Sequence, residues 1–156
     1  MKGFNIAEMG HVVNLIPPVY ITGGVTGDRF SMENYAHASI IIQVGVSAAA
    51  WTAIILRECD AATGGTATDI AFNVYKEETA LGDTLGALVE AAAAGVTPSA
   101  NNSIFYVIEL DASELADGFQ WVELALTNGS NSVIASAVAV LSGSRYGNSE
   151  SQTAIA

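Results

Sequence analysis

The sequence predicts an all-β protein: an antiparallel β-sandwich, with a jelly roll as one form of it, and an extended N-terminal arm. Three observations carry that prediction. The stretch AHASIIIQVGVSAAAWTAIIL, residues 36–56, runs for twenty-one positions without a charge, yet it is rich in β-branched side chains. Elsewhere apolar and polar residues alternate with the period of two that a half-buried strand requires. Between the alternating runs stand clusters of Gly, Asn, Asp, Ser and Thr, the residues that turns favour. Six to eight strands with at most one or two helical turns suit a sandwich, not alternating β and α units.

The arm comes first. Residues 1–29 hold Pro17 and Pro18, which favour extended backbone, and turn-permitting glycines at 23, 24 and 27. Val12, Val13, Leu15, Ile16, Val19 and Ile21 are too apolar for a free tail. They predict one or two edge strands, on this molecule or on a neighbour.

The sandwich domain is expected over 30–148, with a C-terminal tail at 149–156. Residues 36–56 are long enough to cross a bilayer, which takes about 20 apolar residues as a helix. Ile40, Ile41, Ile42, Val44 and Val46 pack better on a pleated sheet, however, and the flanks lack the Lys, Arg and aromatic anchors of a span. Two paired, buried strands are expected, 38–46 and 51–58, with a corner at Ser47–Ala50. Ile40, Ile42, Val44 and Val46 share one face.

CDAATGGTATD then reads as a loop between hairpin strands. DIAFNVYKEE alternates, with Ile70, Phe72 and Val74 on one face. TALGDTLGALVEAAAAGVTPSANN stays open between a short helix over Ala87–Ala94 and a strand followed by a loop, because glycines at 82, 86 and 95 oppose the helix that its alanines favour. SIFYVIEL is a strand with Ile104, Tyr106, Ile108 and Leu110 inward. In DASELADG, Asp111 and Glu114 form a capping-box pattern that Gly118 ends. FQWVELALT places Gln120, Val122, Leu124 and Leu126 inward, unless Trp121 reverses it. NGSN signals a hairpin, and SVIASAVAVLSGSRY is its partner strand.

Composition limits the partners. Sixteen acidic and five basic residues give a formal charge of −11. Nucleic acid and anionic membranes are bound largely through Lys and Arg, so neither is an expected partner. Half of the chain is apolar, and 156 residues can bury roughly 68–70% of the unfolded surface. Cys59 is the only cysteine, so the chain can form no internal disulfide and no Cys-based zinc site. Its N-terminus has no apolar run of signal-peptide length, and maturation in a reducing cytoplasm is expected.

The residues display no catalytic chemistry. His11 and His37 are not in HxxxH or HExxH spacing. Asp111, Glu114 and Asp117 suit capping as well as calcium, and no EF-hand loop is present. Lys76, Glu77 and Glu78, with Asp83, read as a solvated strand end. No serine occupies a G-x-S-x-G elbow, and TGGVTG and TGGTAT lack the Gly-Lys-Ser/Thr of a phosphate loop. No pair of acids is singled out for glycoside hydrolysis. Trp51 and Trp121 could form a sugar platform, although large aromatics in a sandwich are more often core. The expectation is a non-enzyme with no cofactor and no metal.

NYAHASIIIQVGVSAAAW, then AFNVYKEET, then IFYVIELDASELADGFQWVELALTNGSNSVIASAVAVLSGSRYG together resemble small virion structural proteins of tailed bacteriophages, over residues 30–148. Some of these are capsid decoration, or cement, proteins. The resemblance implies a trimeric β-sandwich subunit, assembled in the host cytoplasm, that binds the outside of the capsid. There it would stabilise the shell by bridging copies of the major capsid protein. It brings no catalytic residues. Val12, Val13, Leu15, Ile16, Pro17, Pro18, Val19 and Ile21 are the expected interface, since an arm can add a strand to a neighbouring sheet edge. A carbohydrate- or receptor-binding module, or another minor head or tail component, is the alternative.

Overall fold

Burial alternates residue by residue along the middle of the chain, and that alternation builds two antiparallel sheets around one core. The computed structural model describes residue 3, residues 5–145 and residues 153–155. Most of the tail expected at 149–156 therefore lies outside the described residues. A single-turn helix, α1 (Ile6–Met9), precedes eleven strands. These are β1 (His11–Tyr20), β2 (Val25–Thr26), β3 (Phe30–Ser31), β4 (Tyr35–Ser47), β5 (Ala53–Cys59), β6 (Ala67–Ile70), β7 (Phe72–Glu77), β8 (Val89–Ala91), β9 (Ile104–Asp111), β10 (Trp121–Thr127) and β11 (Val133–Ser144). Six form one sheet in the order β1-β11-β4-β9-β7-β8, and four form the other in the order β2-β10-β5-β6, with β3 also pairing β10. The chain is an antiparallel, all-β sandwich, as its alternation predicts.

The core lies between the sheets. Ile40 and Ile42 of β4, Ile104, Tyr106 and Ile108 of β9, Ile54 and Leu56 of β5, and Leu124 of β10 are all essentially inaccessible. Burying an aliphatic side chain of this size stabilises the fold by roughly 1.5–3 kcal/mol. On β11 the inward positions 135, 137 and 139 are alanines, which let the centre of the sheet approach the opposite layer closely.

Several pairings differ from those expected. Residues 38–46 and 51–58 are strands but not partners: β4 lies in the six-stranded sheet and β5 in the other. The corner at Ser47–Ala50 is an arch between layers. Val46 leaves the buried face and is 61% exposed, because the β4–β11 register slips between Val133 and Ala135 and Ser47 takes the inward position. DIAFNVYKEE is two strands, since the chain changes sheet at Ala71, between β6 and β7. NGSN is a second arch and not a hairpin: β10 and β11 belong to different sheets. There the Asn128 amide donates to the carbonyls of Ile21 and Asn131 at 3.1 and 2.8 Å, so the side chain serves as a bracket. β11 pairs with β1 and β4 instead. Gln120 lies before β10 and is exposed, while Val122, Leu124 and Leu126 point inward as expected.

One stretch follows its alternation, and the stretch open between helix and strand resolves as a strand and a loop. Ile104, Tyr106, Ile108 and Leu110 are all buried. Residues 79–102 form no helix; Val89–Ala91 is a strand on the edge of β7, and a loop follows it. That loop crosses between layers, where Ile54 and Val96 exchange hydrogen bonds of 2.8 and 3.0 Å. Gly95 sits so close to the Ile54 carbonyl, at φ +85°, that no side chain fits.

Candidate interaction surface

An antiparallel sheet with one face on the core usually turns polar residues to water on the other. The two sheets of this chain treat their outer faces very differently.

The outer face of the smaller sheet is closed by charge. Glu123 of β10 is buried there, and Arg29, from the turn between β2 and β3, donates from Nε to its Oε2 at 3.0 Å. Arg57 of β5 reaches Glu123 Oε1 at 3.2 Å through Nη1 and Asp69 Oδ1 at 2.7 Å through Nε. Arg29 Nη1 also donates to the carbonyls of Ala61 and Gly64 at 2.8 and 2.6 Å, which ties down the β5–β6 loop. Beneath this lid Val122 to Leu126 are buried on both faces, and Cys59 is fully buried, its thiol pKa pushed up by burial.

The outer face of the six-stranded sheet carries no such lid of charge, and Ile41, Tyr75, Val107 and Val138 on it are half-buried. Its cross-strand register aligns Asn14, Val138, Ile41, Val107 and Tyr75 in one row across β1, β11, β4, β9 and β7. Five strands at about 4.8 Å spacing make that row about 19 Å long. None of its residues is charged. Ile134 and Phe105 lie outward on one side of it and Val12, at 52% exposure, on the other, where its neighbour Val140 is buried.

One end of this face is acidic and ordered. Ser39 and Glu109 are cross-strand neighbours, as are His37 and Asp111. His37 Nε2 lies 2.7 Å from Glu109 Oε2, and Nδ1 lies 2.7 Å from Asp111 Oδ1. The Ser39 hydroxyl donates to Glu109 Oε2 at 2.6 Å. Burial pulls the His37 pKa down, but its hydrogen bonds to Asp111 and Glu109, and their charges, outweigh that and raise it. Carboxylates only accept, so both ring nitrogens donate in the imidazolium form. His37, Ser39 and Glu109, with Tyr75, Leu85 and Gly86, line a shallow depression of about 580 Å³.

The loop after β7 borders this depression and is held by a buried acid. The strand end expected to be solvated contains Glu77, which is 5% exposed. Its carboxylate accepts from the amides of Thr79 and Thr84 at 2.7 and 3.0 Å. The hydrogen bond from Thr79 chiefly, against a smaller burial penalty, lowers its pKa. Gly82 packs directly on that carboxylate, which leaves no room for a Cβ. On this support Leu81, Leu85 and Leu88 stand exposed.

The residues expected at an interface divide. Val13, Leu15, Ile16 and Ile21 are buried in this chain's own core, because the segment expected as an arm is the edge strand β1, paired with β11. Val12, Pro17, Pro18 and Val19 are exposed beside the apolar face. Ile41, Phe105, Val107, Val138 and Tyr75 were not among the expected interface residues. Part of their signal in the sequence is that β9 and β11 carry apolar residues in both alternating sets, the outward ones being Phe105 and Val107 on β9 and Ile134 and Val138 on β11.

Asp111, Glu114 and Asp117 do not converge on a cation. Glu114 accepts from the Asp111 amide at 2.7 Å, capping a 3₁₀ turn at Ala112–Glu114. Among the described residues no cluster of three or more His, Cys, Asp or Glu has metal-binding geometry. Among the same residues, no helix is long and apolar enough to cross a membrane. Trp51 is buried in the core and Trp121 is half-buried.

No protein-family model matches the chain. No curated protein matches it either. Among solved structures, the crystal structure of SPBc2 prophage-derived protein YomS is similar at a TM-score of 0.44 and 13% identity, covering 90% of this chain and 99% of that one. A likeness of that degree carries no argument about this chain.

Proposed function

We propose that this chain is a non-enzymatic structural component of a tailed-phage virion. It binds the outside of the shell through the outer face of its six-stranded sheet and bridges neighbouring copies of the major capsid protein. The observation that supports this most is the uncharged row from Asn14 to Tyr75, on the solvent side of a sheet, in a chain of net charge −11. Apolar patches of several hundred Å² on soluble proteins mark interaction sites. The sequence resemblance to phage virion proteins supplies the setting.

The chemistry of the partner surface follows from the face. Its centre must be apolar to cover Ile41, Val107 and Val138. Opposite Glu109, Asp111 and Glu90 it must carry Lys or Arg, since like charges would oppose docking. Bridging is mechanical: opening the shell must also break these contacts, and many symmetry-related copies add by avidity. The buried Trp51 argues against a sugar platform built on both tryptophans.

Co-sedimentation with empty, expanded shells of the major capsid protein tests the reading. Wild type is expected to pellet with shells, and the Ile41→Lys, Val107→Lys double variant to lose roughly tenfold or more in affinity, a difference of at least about 1.4 kcal/mol. Thr68→Lys, on the exposed edge of the other sheet, is expected to bind as wild type. A folded double variant that pellets like wild type contradicts the reading.

A further inference from the structure

The described residues form four sheet edges, and three are guarded. β1 carries Pro17 and Pro18 and two register breaks, after Asn14 and after Ile16. Proline lacks the N–H that a further strand would need. The β2/β3 edge is two short pieces, and the C-terminal residues extend it: Ile155 bridges Phe30, and the Ser31 amide donates to Ala154 at 2.7 Å. β6 is four residues long, carries Asp69, and is continued by Val96 on Ile54.

The fourth edge is the least guarded: β8 is also short and carries Glu90, but among the described residues no bridge continues its far side. Residues 86–91 run beside β7, from the Gly86 amide on the Lys76 carbonyl at 2.9 Å to the pairing of Ala91 with Phe72. The far side of this segment holds no proline and no lysine, the usual protections of an edge. Its sequence through Ala94 is GALVEAAAA, with Glu90 its one charge. Leu88 is 50% and Val89 41% exposed.

We propose that this β8 edge pairs antiparallel with the β8 edge of a second copy about a two-fold axis, joining two six-stranded sheets into one. In one such two-fold register apolar side chains meet on the inner side of the sheet. With Val89 opposite Val89 of the second copy, Leu88 faces Glu90 and Ala87 faces Ala91. Val89 pairs with Val74, whose side chain is buried in the core, so it lies on the inner side of the sheet. The two valines then cover each other at the edge of the core. Leu88 packs on the methylene stem of Glu90, whose carboxylate stays in water. Moving the two-fold axis from Val89 to the next residue, a slip of two in register, would set Glu90 directly against its copy, which like charge disfavours. A two-fold pairing of identical patches is the commonest closed association of soluble chains. It goes beyond the shell-binding reading and needs no shell for its test.

Sedimentation velocity of the full chain, with cysteine cross-linking, tests it. Wild type is expected to run as a dimer and Val89→Lys as a monomer. Val89→Cys is expected to form a disulfide-linked dimer about tenfold or more faster than the exposed control Val46→Cys, because pairing holds the thiols at high effective concentration. Residues directly opposite across antiparallel strands have Cα atoms about 4.5–5.5 Å apart, within disulfide range. Cys59 is buried and does not compete. A wild-type monomer overturns the proposal. So does a dimer that persists in Val89→Lys, or Val89→Cys cross-linking no faster than Val46→Cys.

Discussion

The Leu81 amide donates to the Ser103 carbonyl at 3.2 Å, and both residues hold left-handed backbone, at φ +61° and +55°. That conformation costs an L-residue roughly 1–2 kcal/mol. The Leu81 side chain is 84% exposed, so it recovers little of that cost by packing. Leu81→Gly is therefore expected to stabilise the fold by about 0.5–1 kcal/mol after glycine's own entropic cost. Calorimetry should show a Tm raised by about 1–4 °C.

His37 makes stability depend on pH. Its folded pKa lies above the ordinary 6.5. The contribution of the Glu109–His37–Asp111 bridge is thus fully present below pH 6.5 and is lost as pH rises through the folded value. His37→Gln should remove that fall, which the difference between wild-type and variant denaturation midpoints from pH 6 to 8 would show. NMR titration of the His37 ring is expected to report a pKa above 6.5.

Glu123 is buried between two arginines, while Asp69 pairs with Arg57 at the rim with its side chain 44% exposed. Removing one partner of a buried ion pair costs about 3–5 kcal/mol, and of an exposed one about 0–1. Glu123→Ala should lower urea-unfolding stability by about 3 kcal/mol. Asp69→Ala should lower it by less than about 1.

Tyr106 is fully buried, donates to Glu78 Oε1 at 2.8 Å and accepts from the Ser99 amide at 3.1 Å. Burial, chiefly, raises its pKa. Tyr106→Phe leaves the Ser99 amide without its acceptor and is expected to cost about 1–3 kcal/mol. Hydrogen exchange should quicken at Ser99 in the variant.

Faces were legible in the sequence, and partners were not. Alternation alone placed Ile40, Ile42 and Ile108 inward, because period two fixes which side chains share a side. It says nothing of which strand lies alongside. A change of layer at Ala71 therefore looks like one strand, and Asn128–Gly129 looks like a hairpin until its side chain brackets Ile21 and Asn131. The apolar face was hidden for the same reason. Ile41, Val107 and Val138 lie far apart in the chain, and only the register of β4, β9 and β11 brings them into one row.

Side-chain footprinting of the protein on shells, by hydroxyl radicals and mass spectrometry, tests the docking face most directly. Tyr75, Phe105 and Val107 are expected to be protected on binding, with Trp121 labelled as in the free protein. Unchanged labelling of those three, or protection confined to the smaller sheet, would contradict it.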